Sequence, residues 1–230
     1  MARPKRELGL QNPHERVKQV ARQQMAELGT AGLSLRAIAR EMAITAPAIY
    51  NYFPRLEDMI TALIVDAFTA LGDAIEQADA VTGSNLQKMR SMIMTYRQWA
   101  VEHPVDFQLI FGNPIPGYVA PMEVTAPLAR RPFQTLYIHF AEAQRQQEIR
   151  VPACYQQVPG EISAHLARWK READAEVDDA LFCLLMIAWA RIHGMVVLEL
   201  NHHLQPTIGD AEALYRFEVD VLLAQLGRNN

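Results

Sequence analysis

Apolar residues recur at three- and four-residue intervals along most of the chain. The first such run, Val17 to Leu28, ends at Gly29, and a shorter run from Leu35 to Met42 follows Ser34. This spacing places apolar side chains on one face of an α-helix. Serine is favoured at the start of a helix and glycine just past its end. The pattern therefore predicts two helices near the N-terminus, the second of them short.

The segment ITAPAIYNYF, from Ile44 to Phe53, predicts a third, short helix with Thr45 as its cap and Pro47 in its first turn. Ile49 and Phe53 are four residues apart, so they share one helical face and are expected to point inward. The outward set carries no charge and consists of Thr45, Ala46, Pro47, Tyr50, Asn51 and Tyr52.

The rest of the chain shows the same helical period and no strand-like alternation. Further helices are predicted at residues 55–80, 84–103, 127–150, 161–170, 177–203 and 207–226, with a short element at 105–111. The predicted fold class is all-α. We expect an N-terminal three-helix helix-turn-helix domain at residues 1–55 and a larger helical domain at residues 56–230.

Charge is distributed unevenly along the 230 residues, half of which are apolar. The net charge is −4, yet residues 1–55 hold nine Lys or Arg against four acidic residues. A basic segment at residues 1–55 on an otherwise acidic chain indicates that only this segment binds a polyanion. The basic tail ARPKRE, residues 2–7, is expected either to follow the backbone of a nucleic acid or reach a minor groove, or to serve only as a solubilising end.

Several other classes of function lack their motifs. The stretch HGMVVLE is not the HExxH arrangement of zinc proteases, and no nucleophile elbow, Gly-rich phosphate loop or CxxC pair is present. We therefore expect no enzyme activity, no cofactor and no metal. The apolar run from Leu181 to Leu200 is interrupted by Arg191 and Glu199, so it predicts a buried helix and no membrane partner.

The two cysteines, Cys154 and Cys183, are too few for a disulfide framework. They predict reduced thiols in a cytoplasmic protein, with no secretory signal ahead of them. Two alternatives to a regulator that binds a polyanion stay open. One is a redox-sensing regulator that uses Cys154, and the other is a helical interaction adaptor that does not bind nucleic acid.

Two short helices joined by a tight turn describe a helix-turn-helix, in which small residues must lie where the helices cross. Ala39 and Ala43 fit that need. A helix with small outward residues enters a major groove about 12 Å wide, while hydroxyl groups bind phosphates. The DNA contacts are therefore predicted at the outward set named above together with Ser34 and Arg36. For Tyr50 and Tyr52 the alternative is packing against the first helix.

These residues resemble the DNA-binding domain of the tetracycline-repressor (TetR) family of bacterial transcription regulators. The family's pattern is a cap, Ile-Ala, a small turn residue and then a hydrophobic-Tyr-x-x-Phe sequence. It falls on Ser34, Ile38, Ala39, Ala43, Ile49, Tyr50 and Phe53. The resemblance covers about residues 13–65 and implies a regulator, in most members a repressor, that binds DNA.

Two positions depart from the family pattern. Members usually have Gly where Ala43 stands, and a left-handed conformation there costs alanine about 1 kcal/mol. Members also commonly carry Ser and then Lys or Arg where this chain has Arg55 and Leu56. The resemblance therefore implies that Arg55 makes the phosphate contact from one residue earlier.

The run from Leu181 to Leu200 is apolar around most of its circumference, so it is expected to be buried on two sides. One side meets its own domain and the other a second copy, and with the last helix it forms half of an intermolecular four-helix bundle. A helix-turn-helix protein also needs two-fold symmetry to read two half-sites. The chain is therefore predicted to be a homodimer on a palindromic double-stranded DNA operator.

The stretch WARIHG, residues 189–194, resembles a TetR-family C-terminal domain type named WHG for its Trp, His and Gly. That resemblance implies a ligand-binding and dimerisation domain without catalysis. Trp189 and His193 are one turn apart, so they can line one cavity. The predicted ligand-binding residues are Tyr96, Trp99, Phe107, Phe111, Tyr118, Met122, His139, Trp189 and His193. Such a lining suits a small, mostly apolar effector, and the alternative for each residue is an ordinary place in the core.

Overall fold

Twelve α-helices form the described part of the chain in a computed structural model. The structure describes residues 12–113, 115–173, 176 and 178–227, and of residues 172 and 173 the backbone alone. The helices α1 to α12 are Pro13–Leu28, Leu35–Glu41, Ala46–Ile49, Leu56–Asp79, Asn85–Glu102, Pro104–Phe111, Met122–Arg145, Ala153–Gln156, Gly160–Ala173, Asp179–Leu200, Gln205–Ile208 and Ala211–Leu226. Within those residues the strand-type pairing is one isolated bridge, Ile149 with Gly227. The predicted all-α class is confirmed.

The chain divides into two compact units. The first contains Met1–Thr69 and His103–Leu128, and the second contains Ala70–Glu102 and Ala129–Asn230. The division falls within α4 and within α7, so each of these helices belongs to both units. The sequence-based boundary between residues 55 and 56 stays a prediction.

The first three helices share one apolar core in the first unit. Helix α1 contributes Val17 and Ala21, α2 contributes Ile38, and α3 contributes Ile49, and none of these four side chains is more than marginally exposed. Phe53, just after α3, is also buried. Helix α3 is only four residues long, and a helix of that length is not stable alone. The core contacts of Ile49 and Phe53 therefore fix its place.

A left-handed residue closes the turn between α2 and α3. Ala43 has a φ of 54°, the conformation in which the side chain of alanine is strained. The amide of Ile44 donates to the carbonyl of Ala39 at 3.0 Å, and the amide of Ala43 donates to that of Arg40 at 3.1 Å. These bonds satisfy the last carbonyls of α2. The expected left-handed conformation at Ala43 is thus observed.

A cluster of charged side chains ties α1 to α4 and α6 within the first unit. Lys18 Nζ lies 2.6 Å from Asp66 Oδ2, and Arg22 Nε lies 2.8 Å from Asp106 Oδ1. Arg22 also approaches Asp66 at 3.6 Å. Because Lys18 and Asp106 are largely buried, each needs its partner charge in the folded state.

The second unit is built around α5, α10 and α12. Tyr215 of α12 is fully buried and donates a hydrogen bond from its hydroxyl to the carbonyl of Ile93 of α5 at 3.0 Å. Arg97 of α5 donates to Glu199 of α10 through two nitrogens, at 2.6 and 2.8 Å. This pair is nearly excluded from water. It therefore joins two core helices through charges that cannot be solvated separately.

Helix α7 differs at both ends from the predicted helix at residues 127–150. It begins at Met122, because the carbonyl of Pro121 accepts the amides of Val124 and Thr125, each at 3.0 Å. It ends at Arg145, because Gln147 adopts a left-handed φ of 61°. The prediction missed the start because Pro127 was taken as the end of a loop, whereas it lies inside the helix.

The last predicted helix, residues 207–226, is two helices in the structure. Gly209 has a φ of 78° and ends α11, and the Asp210 carboxylate accepts the amide of Ala213 at 2.9 Å and caps α12. Asp178 caps α10 in the same way, accepting the amide of Leu181 at 2.7 Å. The break follows from a glycine and a capping residue that were both readable in the sequence.

Helix α10 buries one face and exposes the other. Leu181, Leu185 and Val196 are buried, whereas Ile187 and Leu198 are each more than two-fifths exposed. In the described part of the chain, α10 alone is long and apolar enough to cross a membrane. Core helices of soluble proteins pass the same test. The expected absence of a membrane partner stays a prediction.

Candidate DNA interface and candidate sensor region

The outward face of α3 and the following turn carries small and hydroxyl-bearing residues. Thr45, Ala46, Pro47, Tyr50 and Asn51 are all exposed. The helical hydrogen bonding continues for one turn past α3, since the amide of Tyr52 donates to the carbonyl of Ile49 at 3.0 Å. The segment therefore presents an uncharged surface about one and a half helical turns long, narrow enough for a major groove.

Two predicted phosphate-binding hydroxyls stand at helix starts. Ser34 and Thr45 occupy the N-cap positions of α2 and α3, but neither side chain makes the capping hydrogen bond. Ser34 and Thr45 therefore occupy the predicted cap positions, and the side-chain bond that usually accompanies a cap is not formed. Both hydroxyls stay available to another acceptor or donor.

The basic residues near this surface differ in their partners. Arg36 is exposed on α2 and makes no ion pair with the described residues. Arg55 donates to Asp58 at 2.6 Å and is itself mostly exposed. The Arg55 hydrogen bond lowers the pKa of the Asp58 carboxyl. Arg55 thus brings a compensated charge, which weakens its pull on a phosphate compared with Arg36.

Tyr52 is only partly exposed and contacts the first helix. Its ring meets the edge of His14 of α1 at a centroid distance of 5.4 Å and an angle of 87°. His14 meets Phe53 in the same way, at 5.4 Å and 79°. This geometry agrees with the alternative of packing for Tyr52, whereas Tyr50 has two-fifths of its surface exposed. A DNA contact by Tyr52 stays a prediction.

Two further residues near the interface were missed from the sequence. His14 is one, because its contacts to Tyr52 and Phe53 span 38 residues and more of the chain and leave no local pattern. Arg40 is the other, exposed on α2 four residues after Arg36. The four-residue spacing was a signal that places both arginines on one face. The predicted tail, residues 2–7, lies outside the described residues.

Three of the predicted ligand-binding residues meet in the second unit. The Tyr96 hydroxyl lies 2.7 Å from Nδ1 of His193. The His193 ring lies 4.9 Å from that of Trp189, which in turn meets Phe133 edge-on at 5.2 Å. Burial lowers the pKa of His193 and raises that of Tyr96. The cluster is therefore aromatic, hydrogen-bonded and neutral near pH 7.

Two more of the predicted ligand-binding residues, Trp99 and His139, belong to the second unit. In the second unit Trp99 is buried, and His139 places Nε2 at 2.7 Å from Asp79 and Nδ1 at 3.0 Å from Asn85. The histidine is thus held by two polar side chains of α4 and α5. Its role in ligand binding stays a prediction.

The other four predicted ligand-binding residues belong to the first unit. Phe107 and Phe111 have ring centroids 5.1 Å apart, and Phe107 is buried. Tyr118 places its hydroxyl 2.9 Å from Oγ1 of Thr61, and Met122 is about two-thirds exposed. Phe107 and Phe111 are therefore in ring contact within the first unit.

The two cysteines differ in exposure. Cys154 is exposed on α8, whereas Cys183 is partly buried in α10 and burial raises its pKa. A thiol with a raised pKa is a poor nucleophile and oxidises slowly. Of the two cysteines, Cys154 is therefore the one that a redox-sensing alternative needs, and that alternative stays a prediction.

Comparison with known proteins identifies the family. A family model for the bacterial regulatory proteins of the tetR family matches residues 19–63. A second model, for the tetracyclin repressor-like C-terminal domain, matches residues 89–222, which is more than half of the chain. The first model covers the helix-turn-helix helices α2 and α3, and the second covers α10. The more specific WHG type stays a prediction.

Individual relatives agree with the family models. The chain is 30% identical over 187 residues to the HTH-type transcriptional regulator Rv1816 of Mycobacterium tuberculosis, covering 80% of this chain and 79% of that protein. The crystal structure of the regulatory protein SCO4313 shares 28% identity with a TM-score of 0.75, over 92% of this chain and 95% of that one.

The TetR-family regulator PfmR of Thermus thermophilus shares the fold, with a TM-score of 0.62 at 19% identity, over 93% of this chain and all of that one. A helix-turn-helix unit with an exposed uncharged α3, a helical second unit, two matching family models and a relative over four-fifths of the chain agree. The chain belongs to the TetR family of bacterial regulators, and it is a DNA-binding transcription regulator, not an enzyme.

Proposed function

We propose that this regulator is a repressor that binds a palindromic operator as a homodimer and is released by a small, mostly apolar effector. The observation that supports the DNA part best is the exposed, uncharged surface of α3 and its following turn, held on the buried side chains of Ile49 and Phe53. The cytoplasm is the proposed location, and residues 1–55 are the proposed DNA-binding domain.

The proposed interface has a centre and a rim. Ala46, Pro47, Tyr50 and Asn51 lie at the centre, where small side chains and hydrogen-bonding groups meet base edges. The rim consists of Ser34, Arg36, Thr45, Tyr52 and Arg55. These residues bind phosphates through hydroxyl groups and positive charges, which fixes the orientation of the protein on the duplex.

The test of the interface is selection of bound sequences from random DNA, repeated at two salt concentrations. We expect a palindromic consensus with half-sites about 34–36 Å apart, because each protomer reads one half. Affinity is expected to fall steeply with salt. The same selection is repeated with Asn51→Ala. This variant lacks one side-chain amide at the centre of the interface, so its consensus should be less specific at one position. A non-palindromic consensus, or none, contradicts the proposal.

The homodimer is proposed to form through the exposed side of α10 with α12. Ile187 and Leu198 lie three helical turns apart on α10, and Phe217 of α12 is two-thirds exposed. Removing such apolar side chains from water is energetically favourable. Two copies related by a two-fold axis bury the same face of each chain against each other. The proposed operator symmetry follows from this pairing.

The effector is proposed to bind beside Tyr96, Trp189 and His193. Their contacts make a mostly apolar cluster that carries a few hydrogen-bonding groups, a composition that suits a small neutral molecule. The remaining residues of the proposed set are Trp99, Phe107, Phe111, Tyr118, Met122 and His139. An effector that favours a state with displaced DNA-binding units weakens operator binding by its differential affinity for that state.

A thermal-shift screen of apolar small molecules tests the effector site. A compound that binds the folded protein raises the melting temperature. We expect it also to lower operator affinity, and the Trp189→Ala variant to lose both responses while it still binds the operator. A compound that saturates the protein without any change in operator affinity contradicts the effector model.

A further inference from the structure

The turn that follows α3 needs support from outside itself. Helix α3 ends at Ile49, and after it the amide of Asn51 reaches the carbonyl of Ala48 at a long 3.3 Å. Such single turns form and open easily in water, because nucleation costs more entropy than one hydrogen bond returns. The exposed Tyr50 and Asn51 lie in this turn, so its order sets how well they are placed for recognition.

His14 supplies a contact of the required kind. Its ring meets Tyr52 and Phe53 edge-on, each at 5.4 Å, so one imidazole holds two adjacent residues of the turn. His14 lies at the second position of the sixteen-residue α1, and its amide donates to Oδ1 of Asn12 at 3.1 Å. The ring is therefore attached to a capped helix, which is a more rigid base than the turn itself.

His14 is an exposed residue, whereas Ile49 and Phe53 are buried. The apolar core of the first unit therefore closes without the imidazole. Loss of the ring is expected to change the order of the turn more than the stability of the whole chain, because the buried contacts that define the fold stay in place.

We propose that His14 is a positioning residue for DNA recognition, holding the turn that carries Tyr50 and Asn51 through edge-to-face contacts with Tyr52 and Phe53. The proposal rests on the interface proposed above. It assigns Tyr52 a supporting role between His14 and the DNA-facing residues. The aromatic ring of His14 is the group that matters, and its nitrogen atoms are not needed.

The experiment compares His14→Ala with His14→Phe on a labelled duplex that carries the consensus selected by the wild-type protein. Affinity is measured well below the melting temperature, so that every variant is fully folded. Two edge-to-face contacts are worth about a five- to tenfold change in affinity when the turn must be ordered for binding. We expect His14→Ala to lose that factor, and His14→Phe to restore most of it because phenylalanine makes the same ring contacts.

Two further readouts separate positioning from other roles. Hydrogen exchange at the amides of Tyr52 and Phe53, measured without DNA, should speed up in His14→Ala and return to wild-type protection in His14→Phe. The slope of log affinity against log salt should be equal in all three proteins, since a lost phosphate contact would lower it by about 0.9. His165→Ala, which removes an exposed histidine of α9, is the control and should match the wild type.

The outcomes distinguish this proposal from the proposed interface. If Tyr50→Ala weakens binding and His14→Ala does not, the positioning role is wrong and the interface stands. If His14→Phe binds as weakly as His14→Ala with a lower salt slope, His14 contacts the DNA directly and positioning is again wrong. If Tyr50→Ala and Asn51→Ala both bind like the wild type, the interface itself is wrong, and the role of His14 with it.

Discussion

The candidate DNA surface on the first unit and the exposed face of α10 on the second unit present different kinds of side chain. On the first unit, α3 and its turn expose Thr45, Pro47 and Asn51, and α2 exposes Arg36 and Arg40. On the second unit, α10 exposes Ile187 and Leu198. The first surface offers hydrogen-bonding groups and positive charge, and the second offers hydrocarbon.

This difference explains how one chain can bind DNA with one surface and a second copy of itself with the other. A polyanion gains nothing from Ile187 and Leu198, because apolar side chains release no counterions and accept no phosphate. A second copy of the chain gains little from a small polar surface, since interface energy concentrates on large buried side chains. If the comparison is right, changes on one surface affect one partner far more than the other.

The largest effect is expected from the double substitution Ile187→Glu and Leu198→Glu. In a two-fold interface each new carboxylate appears twice and would be buried without a partner. We expect dimerisation to weaken by about 3 kcal/mol or more, which is over a hundredfold in the dissociation constant. Sedimentation velocity at micromolar protein concentration should show monomer.

Ile162→Glu is the matched control for that variant. Ile162 on α9 is exposed to the same degree as Ile187, at 44% against 42%, but it lies on another helix. The control should sediment like the wild type. A monomeric wild type, or a double variant that stays dimeric, would break the comparison, because the apolar face of α10 would then have another purpose.

A smaller effect is expected from the basic residues of α2. Arg36→Gln and Arg40→Gln should each weaken operator binding by about 1 kcal/mol, and each should lower the slope of log affinity against log salt by about 0.9 if it contacts one phosphate. The dimer should be unaffected. Fluorescence anisotropy over a range of salt concentrations measures both quantities.

Arg145→Gln provides the control for charge alone, since Arg145 is exposed and paired with Glu142 in the second unit. It removes the same charge from the chain. An equal loss of affinity in this control would mean that only the net charge matters. In that case the arginines of α2 would have no special place on the DNA surface.

The sequence predicted the helices well where apolar periodicity and end signals agreed. The helix predicted from residue 84 begins with a capping box in the structure, in which the amide of Ser84 donates to Oε1 of Gln87 at 2.9 Å and the amide of Gln87 donates to Oγ of Ser84 at 3.3 Å. Helix α7 was predicted five residues late, because proline usually ends helical patterns and Pro127 does not. Pro127 is the sixth residue of α7, past the first turn, so it removes one hydrogen bond to the carbonyl of Glu123 without ending the helix.

The candidate sites were less predictable than the helices, because they depend on contacts that are distant in sequence. Trp189 and His193 were recognisable as neighbours one turn apart on a helix. The contact of His193 with Tyr96, 97 residues earlier, has no local signature. The same holds for His14 with Tyr52, and for the Arg22 contact to Asp106 across 84 residues.

A gain in stability is expected from Ala43→Gly in the turn of the first unit. The left-handed φ of 54° at Ala43 costs alanine about 1 kcal/mol, while glycine loses more entropy on folding. The net gain should be about 0.5 kcal/mol. Urea denaturation measures it, and Ala164→Gly, within the exposed face of α9, should lose about 1 kcal/mol. If Ala43→Gly lowered the free energy of unfolding as much as Ala164→Gly does, the turn at Ala43 would not be strained.

The smallest effect is expected from the titration of His193 in the second unit. Burial lowers the pKa of His193 below its ordinary value of 6.5, so the folded protein favours the neutral ring. As pH falls through about 6.5, the unfolded chain takes up this proton first, and stability is lost. Above that pH the contribution of His193 is fully present.

His193→Gln should therefore flatten the fall in melting temperature between about pH 7.5 and about pH 5.5, since glutamine keeps a polar group without a titrating proton. Protomer concentration must be held fixed, because dimerisation itself shifts the melting temperature. Operator affinity of the two proteins should stay equal at the higher pH, where the histidine is neutral. If the melting temperatures of the wild type and the variant fell equally over this pH range, the acid-sensitive group would lie elsewhere. The aromatic cluster of the second unit would then have no role in acid stability.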